Sequence, residues 1–307
     1  MDKGCITEKN EAVANECAAK ESAANECAAN KCAINEGAAN KGDENKGTVN
    51  EGTVNKDAEN DVIAKEISLK FDWHTHTVYS HGKGTIEENV IEARRKGLSS
   101  IAITDHGPGH FGYGFRRRDI PKMRAEIDEL NKKYDDIEIY MSVEANIINP
   151  SGELDVKPEE FELYDFVIAG YHFGTLGKNP FASLLLHARN LISAKRKKYS
   201  DSLKRKNTDM VVNSVRNNNL RTLTHPGDKG AVYMEEVIAA CEETGTLMEI
   251  SNRHRQLTTE EIILAEKSDV KFIIGSDAHV SARVGTCENA LKRVKEAGLP
   301  GERIVNL

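Results

Sequence analysis

From about Ile67 onward the chain alternates between short apolar runs and longer segments with helical spacing. Seven runs stand out: "ISLKFDW", "SSIAITDH", "IEIYMSVEAN", "DFVIAGYH", "LRTLTH", "TLMEISN" and "VKFIIGSDAH". They are short and mostly continuous rather than alternating, the pattern of strands buried on both faces. Helical patterns separate most of them. Thr85 and Glu88 read as a capping box opening a helix that Gly97 stops, and Thr258 and Glu261 as a second box before "IILAEKSD". Segments 119–133, 207–218, 230–244 and 287–298 also carry helical spacing, the last ending at Gly298. Strand–helix alternation repeated seven times predicts an α/β fold of parallel strands closed into a barrel, with right-handed crossovers. An open doubly wound sheet is the competing architecture, but no glycine-rich dinucleotide loop follows the first strand.

The first 66 residues follow another rule. From Asn10 to Glu59 the chain repeats every five residues, as in "NEAVA", "NECAA" and "NKGTV". Five residues rotate about 140° around an α-helix of 3.6 residues per turn, so no apolar stripe forms, and the repeat does not alternate as a strand would. Pentapeptide solenoids place a large apolar residue at the centre of each five. Here the centre is Ala, Cys, Ser, Gly or Asp, and the ordering entropy has nothing to offset it. The expectation is a disordered, low-complexity tail over 1–66 and a folded domain over 67–307.

Charge sharpens this division. The tail holds 8 Lys and no Arg against 14 acids, leaving 34 bases and 35 acids in the domain out of a chain total of 42 and 49. A near-neutral domain argues against nucleic-acid binding driven by net charge. No run of about 18 apolar residues predicts a membrane span, and "MDKGCITEKNEAV" lacks the apolar core of a secretory signal. Of the 6 cysteines, Cys5, Cys17, Cys27 and Cys32 fall in the tail, leaving Cys241 and Cys287 in the domain. That is no disulfide framework, and a reducing cytoplasm is the expected compartment.

The chemistry lies in the histidines. His74, His76 and His81 follow the first predicted strand, His106 ends the second, His172 the fourth, His225 the fifth and His279 the seventh. Glu144 and Asp277 share that placement. In a parallel barrel these ends open on one rim, where active sites are built. Residues at i and i+2 on a strand face the same way, so Asp72, His74 and His76 point together, as do Asp277 and His279. His110, His187 and His254 have no tie to this cluster and read as ordinary core or rim histidines. Crowding seven imidazoles without metal would set protonated rings against one another, whereas a metal site turns neutral imidazoles and carboxylates into ligands. Nine such ligands suit three divalent ions, with Glu144 as a bridge, and the donor set suits Zn, Mn or Fe.

The run "DWHTHT … ITDHG … EAN … AGYH … THPG … GSDAH" resembles the PHP (polymerase and histidinol phosphatase) family across nearly all of residues 68–307, most of all its YcdX-like phosphatase branch. The resemblance implies a distorted seven-stranded, TIM-like (β/α)7 barrel with a trinuclear centre. Carried over position by position, it implies one ion held by His74, His76, Glu144 and Asp277. Glu144, His172 and His225 would hold a second, and His81, His106 and His279 a third. The spacing from His76 to His81 is one residue shorter than in those relatives. The chain stops at "ERIVNL" where relatives continue into another helix, so the barrel's last closing element is expected to be missing.

Clustered divalent ions acidify bound water and neutralise phosphoryl oxygens. The expected activity is hydrolysis of a small phosphomonoester by a metal-bound hydroxide, histidinol phosphate being one family possibility. Ser276 has no nucleophile-elbow context and Cys241 lies in a predicted helix, so a covalent route is not expected. Asp72 is expected to orient a ligating imidazole from behind, and Arg253 to hold the substrate phosphate, as arginine forks do. Arg116, Arg117 and Arg118 are weaker candidates for the same task. The basic run 195–206 suggests a phosphodiesterase or nuclease acting on single-stranded nucleic acid as the alternative, yet only Tyr199 is at hand for stacking and such runs are usually solvated helix faces. A non-catalytic metal-binding role and an amidohydrolase barrel fit less well, because the ligand set is intact and the fourth and last strands end in "YH" and "DAH".

Overall fold

In a computed structural model the described residues are 68–307; the tail assigned to 1–66 and its expected disorder lie outside them. The strands are β1 (Phe71–Thr75), β2 (Ser100–Ile103), β3 (Glu138–Met141), β4 (Glu144–Asn146), β5 (Ile168–Gly170), β6 (Thr222–Leu223), β7 (Leu247–Ser251) and β8 (Phe272–Gly275). Every pairing is parallel, in a three-stranded sheet β1-β2-β3 and a five-stranded sheet β4-β5-β6-β7-β8. The helices are α1 (Ile86–Arg95), α2 (Ile120–Lys133), α3 (Pro180–Arg196), α4 (Asp201–Asn217), α5 (Met234–Thr244), α6 (Thr259–Ala265) and α7 (Glu288–Ala297).

The single third strand expected from "IEIYMSVEAN" is broken into β3 and β4. At the break Ser142 N still donates to Ile103 O of β2 (2.8 Å), but Val143 O already accepts from Ile168 N of β5 (3.1 Å). The chain changes partner within two residues, which an unbroken apolar run cannot reveal. Single-residue bridges then join the two sheets at both edges, His106 to Glu144 on one side and Thr75 to Ala278 on the other.

The last described residues bind the seam between β8 and β1. Ile304 bridges to Phe272 of β8. Asn306 lies in the seam, where its Nδ2 donates to Phe71 O (2.9 Å) and Ile274 O (2.8 Å), and its Oδ1 accepts from Ile274 N (3.0 Å). A buried amide that spends its donors and acceptor on two strands stitches β8 to β1.

Both capping boxes form. Glu88 N donates to Thr85 Oγ1 (3.1 Å) and Thr85 N returns to Glu88 Oε2 (2.8 Å), with Gly97 left-handed at φ 73° beyond α1. At α6 the reciprocal pair joins Thr258 and Glu261. α2, α5 and α7 lie within one to four residues of the sequence expectation, whereas α4 starts six residues before 207, capped by Ser200. α3 was not expected. Its inner face buries Ser183, Leu186 and Asn190, and the Asn190 and Asn207 side chains exchange two hydrogen bonds (2.8 and 3.0 Å) that clasp α3 to α4. The aliphatic core includes Ile101, Ile103, Met141, Ile168, Met248 and Ile274 on the strands and Val90, Met123, Ile127, Met210 and Val237 on the helices. Polar residues enter the interior chiefly past the C-terminal strand ends, where the site is.

Candidate metal centre

Glu144, the first residue of β4, is fully buried and sits at the middle of the histidines. Its Oε1 lies 2.9 Å from His225 Nε2, and 3.4 Å from both His74 Nε2 and His172 Nε2. Its Oε2 lies 3.0 Å from His106 Nδ1 and 3.6 Å from His76 Nε2. Asp277, just past β8, forms a second focus: its Oδ1 is 3.1 Å from His279 Nδ1, 3.3 Å from His76 Nε2 and 3.9 Å from His74 Nε2. Six strand ends thus deliver eight of the nine candidate ligands to one place.

The donor atoms fit a metal better than one another. His74 Nε2, both ring nitrogens of His76, His81 Nδ1, His106 Nδ1 and Glu144 Oε2 are buried and make no aligned hydrogen bond among the described residues, the 3.0 Å approach of His106 Nδ1 to Glu144 Oε2 included. Each such atom costs about 1–3 kcal/mol unless something satisfies it. Ligand atoms lie within 4.8 Å of one another in four overlapping groups: His74, His76 and Glu144; His106, Glu144 and His172; His74, His225 and Asp277; and His76, His106 and His279. His81 belongs to none of these groups, but its ring packs 4.2 Å from His279 and 4.9 Å from His106, beside the last.

Behind the ligands stands a layer of polar groups that aims them. Glu249 Oε1 lies 2.6 Å from His74 Nδ1, while Glu249 Oε2 accepts from His225 N (2.7 Å). Gly275 makes room for this carboxylate, because an added Cβ would collide with Glu249 Oε1. His172 Nδ1 meets Asn146 Oδ1 (2.8 Å), and Asn146 is held by the half-buried Asp155. Asp105 accepts from Thr77 N (2.7 Å) and from the hydroxyls of Thr77 and Ser80, fixing the loop that carries His76 and His81. His225 and Asp277 adopt left-handed backbone at φ 27° and 49°, a strained choice for non-glycine residues that clusters at functional sites.

Asp72 acts differently from the expectation. Its carboxylate accepts from the backbone N–H groups of His74 (3.3 Å), Ser276 (3.2 Å) and Gly285 (2.8 Å), and touches no imidazole. It pins the backbone under the ligands; the side chain that orients an imidazole is Glu249. The one charge in the apolar run "TLMEIS" was the signal for it.

Electrostatics divide the imidazoles. Burial pushes His76 well below its usual value, with neighbouring His106 and His279 adding to the effect. Burial likewise takes His172 down to about 3, and burial with His279 and His106 takes His81 to about 3. Neutral rings are the form in which histidine binds metal. Burial opposes protonation of His74 too, but Glu249, Glu144 and Asp277 outweigh it and raise this group well above the usual range. Burial also disfavours the Glu144 carboxylate, yet His172, His74 and His106 hold it well below the ordinary value.

His254 corrects the sequence reading. Rather than an unconnected rim histidine, it stands between two carboxylates, with Nδ1 3.2 Å from Asp228 Oδ2 and Nε2 3.0 Å from Asp277 Oδ2. Burial opposes its protonation, but the two acids raise it to about 9. Arg253, beside it in the loop after β7, places a guanidinium nitrogen 3.3 Å from Asp277 Oδ1 and 2.8 Å from His279 Nε2. It lines a cavity of about 380 Å³ that opens on Asp277 and His279 and includes Asn252, Arg283 and Thr286.

The other candidates lie apart from this work. Arg117 is spent on Glu160 and on Asp155 O, while Arg116 and Arg118 are exposed. His187 is satisfied by Tyr171 Oη and Thr175 O, both at 2.8 Å. His110 accepts from the Gly112 and Tyr113 amides, its ring 5.9 Å from His106. Burial pushes the Cys241 thiol up to about 12, and Ser276 Oγ donates to His74 O.

Buried imidazoles around shared carboxylates, at the strand ends of a parallel α/β fold, define a metal-binding hydrolase class. The chain belongs to the PHP domain family, whose model matches residues 72–298. It is 32% identical over 255 residues to a probable phosphatase of Thermoanaerobacter sp. (strain X514), covering 78% of this chain and 91% of that protein. A probable phosphatase of Caldicellulosiruptor saccharolyticus is 31% identical over 252 residues, covering 78% and 92%. Among solved structures, histidinol phosphate phosphatase of Lactococcus lactis, complexed with zinc, L-histidinol and phosphate, shares the fold with a TM-score of 0.52 at 19% identity, over 75% of this chain and 94% of that one.

Proposed function

We propose that this PHP-family protein is a metal-dependent phosphatase that hydrolyses small phosphomonoesters at a centre of three divalent ions, zinc or manganese, with iron a further candidate. The ions sit at the mouth of a seven-staved barrel in which β3 and β4 together make one stave. His74, His76, Glu144 and Asp277 hold one ion, Glu144, His172 and His225 a second, and His81, His106 and His279 the third. The observation that carries this reading is the buried set of imidazole nitrogens and the Glu144 oxygen that make no aligned hydrogen bond among the described residues. The phosphatases at 31–32% identity support the reaction class.

Divalent ions bound there supply a deprotonated water near neutral pH and neutralise the phosphoryl oxygens. The chain's own residues do the rest. Glu249 fixes the ring of His74, and Asn146 that of His172, so that Nε2 of each faces Glu144. The Arg253 guanidinium, at the lip of the 380 Å³ cavity, reaches an entering phosphate with paired N–H groups. His254 stands between Asp228 and Asp277, 3.2 and 3.0 Å from their carboxylate oxygens, and its positive charge holds the Asp277 carboxylate toward His76 and His279. The nuclease alternative rests on the basic run, where Arg205 is committed to Asp209 and Glu236 and Lys204 lies over Tyr233.

The test is hydrolysis of p-nitrophenyl phosphate beside bis(p-nitrophenyl) phosphate and single-stranded DNA, after reconstitution with zinc or manganese. The monoester is expected to turn over fastest, with loss on chelation. Faster cleavage of the diester or DNA would replace the phosphatase reading with the nuclease one.

A further inference from the structure

The outward face of α3 is apolar and has no partner among the described residues. Phe181, Leu184, Leu185, Leu191 and Ile192 are each between 45% and 77% exposed. Their spacing places them on one side of the helix, opposite the buried Ser183, Leu186 and Asn190. Scattered apolar residues on a surface need no explanation, but a contiguous stripe of five does. The helix cannot lose them to the interior, because its other face is fixed by the Asn190–Asn207 clasp.

Charge says what covers the stripe. From Leu176 to Ser200 the chain carries Lys178, Arg189, Lys195, Arg196, Lys197 and Lys198 and no acid. Lys195, Arg196, Lys197 and Lys198 are exposed, and none is paired with an acid among the described residues. Cations in the last helical turn complement its dipole, which accounts for Lys195 and Arg196 but not for the two that follow. A second copy of the chain docked stripe to stripe would set cation against cation. The complementary partner is apolar inside and anionic at its surface.

We propose that α3 docks this domain on an anionic lipid bilayer, lying in the interface with the stripe among the acyl boundary and the lysines and arginines among the headgroups. The 17-residue helix lies on the membrane and does not span it; no described helix is long and apolar enough to cross one. This is independent of the metal centre.

The test is co-sedimentation of the full chain with phosphatidylcholine vesicles with and without about 30 mol% phosphatidylglycerol. Because the whole chain carries a net charge of −7, anionic vesicles repel it on average, and only a local basic patch reverses the preference. Binding is expected to be about ten-fold greater with phosphatidylglycerol, and to be lost at about 0.5 M salt. The triple variant Phe181→Ser/Leu184→Ser/Ile192→Ser and the charge variant Lys195→Gln/Lys197→Gln/Lys198→Gln are each expected to abolish it, with far-UV dichroism and phosphatase activity retained. Equal partition into both vesicles, no binding, or a stripe-dependent dimer by ultracentrifugation in place of vesicle binding would overturn the proposal.

Discussion

His74 shows how a single residue is prepared for its task. Its Nδ1 is held by Glu249, its backbone N–H by Asp72, and its Nε2 is left facing Glu144 and Asp277 without a hydrogen bond. Removing the charge that aims a ligand typically costs about 10–100-fold in metal affinity or activity. Glu249→Gln is therefore expected to weaken metal retention by about that factor while the fold persists, measured by competition with a chromogenic chelator; unchanged retention would remove Glu249 from the site. Gly275→Ala should act through the same contact, because its methyl would displace Glu249 Oε1. Arg253→Ala is expected to raise KM for p-nitrophenyl phosphate by about ten-fold, the loss of one charge-assisted fork, with metal content unchanged; an unchanged KM would leave Arg253 as a loop arginine. The convergence of the candidate ligands was legible, since histidines recur at strand ends where chance would scatter them. His254 and Asp228 were not, because each lies in a loop and only the tertiary fold sets His254 between Asp228 and Asp277.

The elements were legible where local chemistry decides them. Thr85 with Glu88, and Thr258 with Glu261, close their capping boxes because both halves of each box lie within four residues. Thr258→Ala is expected to lower unfolding free energy by about 1 kcal/mol in urea titrations without changing turnover. No change in the midpoint would show that the box adds nothing to α6. Where partners are distant, the sequence was silent. The β3–β4 break follows from Val143 finding β5 while Ser142 still holds β2, and neither strand is adjacent in sequence. α3 escaped notice because its large apolar residues gather on the exposed side, while the buried side offers Ser183, Leu186 and Asn190, the reverse of the usual amphipathic order. The same feature leaves five large apolar side chains facing outward.

Across the whole domain the site is a stability cost that binding offsets. Six buried donor or acceptor atoms of the site make no aligned hydrogen bond among the described residues, and the clustered rings repel when charged. Metal bound at 100 times its dissociation constant would stabilise the fold by about 2.7 kcal/mol per site. Chelation is therefore expected to lower the melting temperature and the activity together, and a melting temperature indifferent to chelator would contradict a buried centre. The repeats of residues 1–66 carry no predicted ligand and no Leu or Phe. Removing them is expected to leave phosphatase activity and the thermal transition in place, and loss of either would assign the repeats a structural role. All of this rests on one proposed arrangement, in which nine side chains from strand ends would share three ions. Its most direct test is the metal content of the purified chain, titrated with zinc or manganese and read by mass spectrometry alongside p-nitrophenyl phosphate turnover. The account predicts a plateau at about three ions per chain, with activity rising as the last sites fill. A plateau at two or fewer, or full activity in the chelated protein, would contradict it.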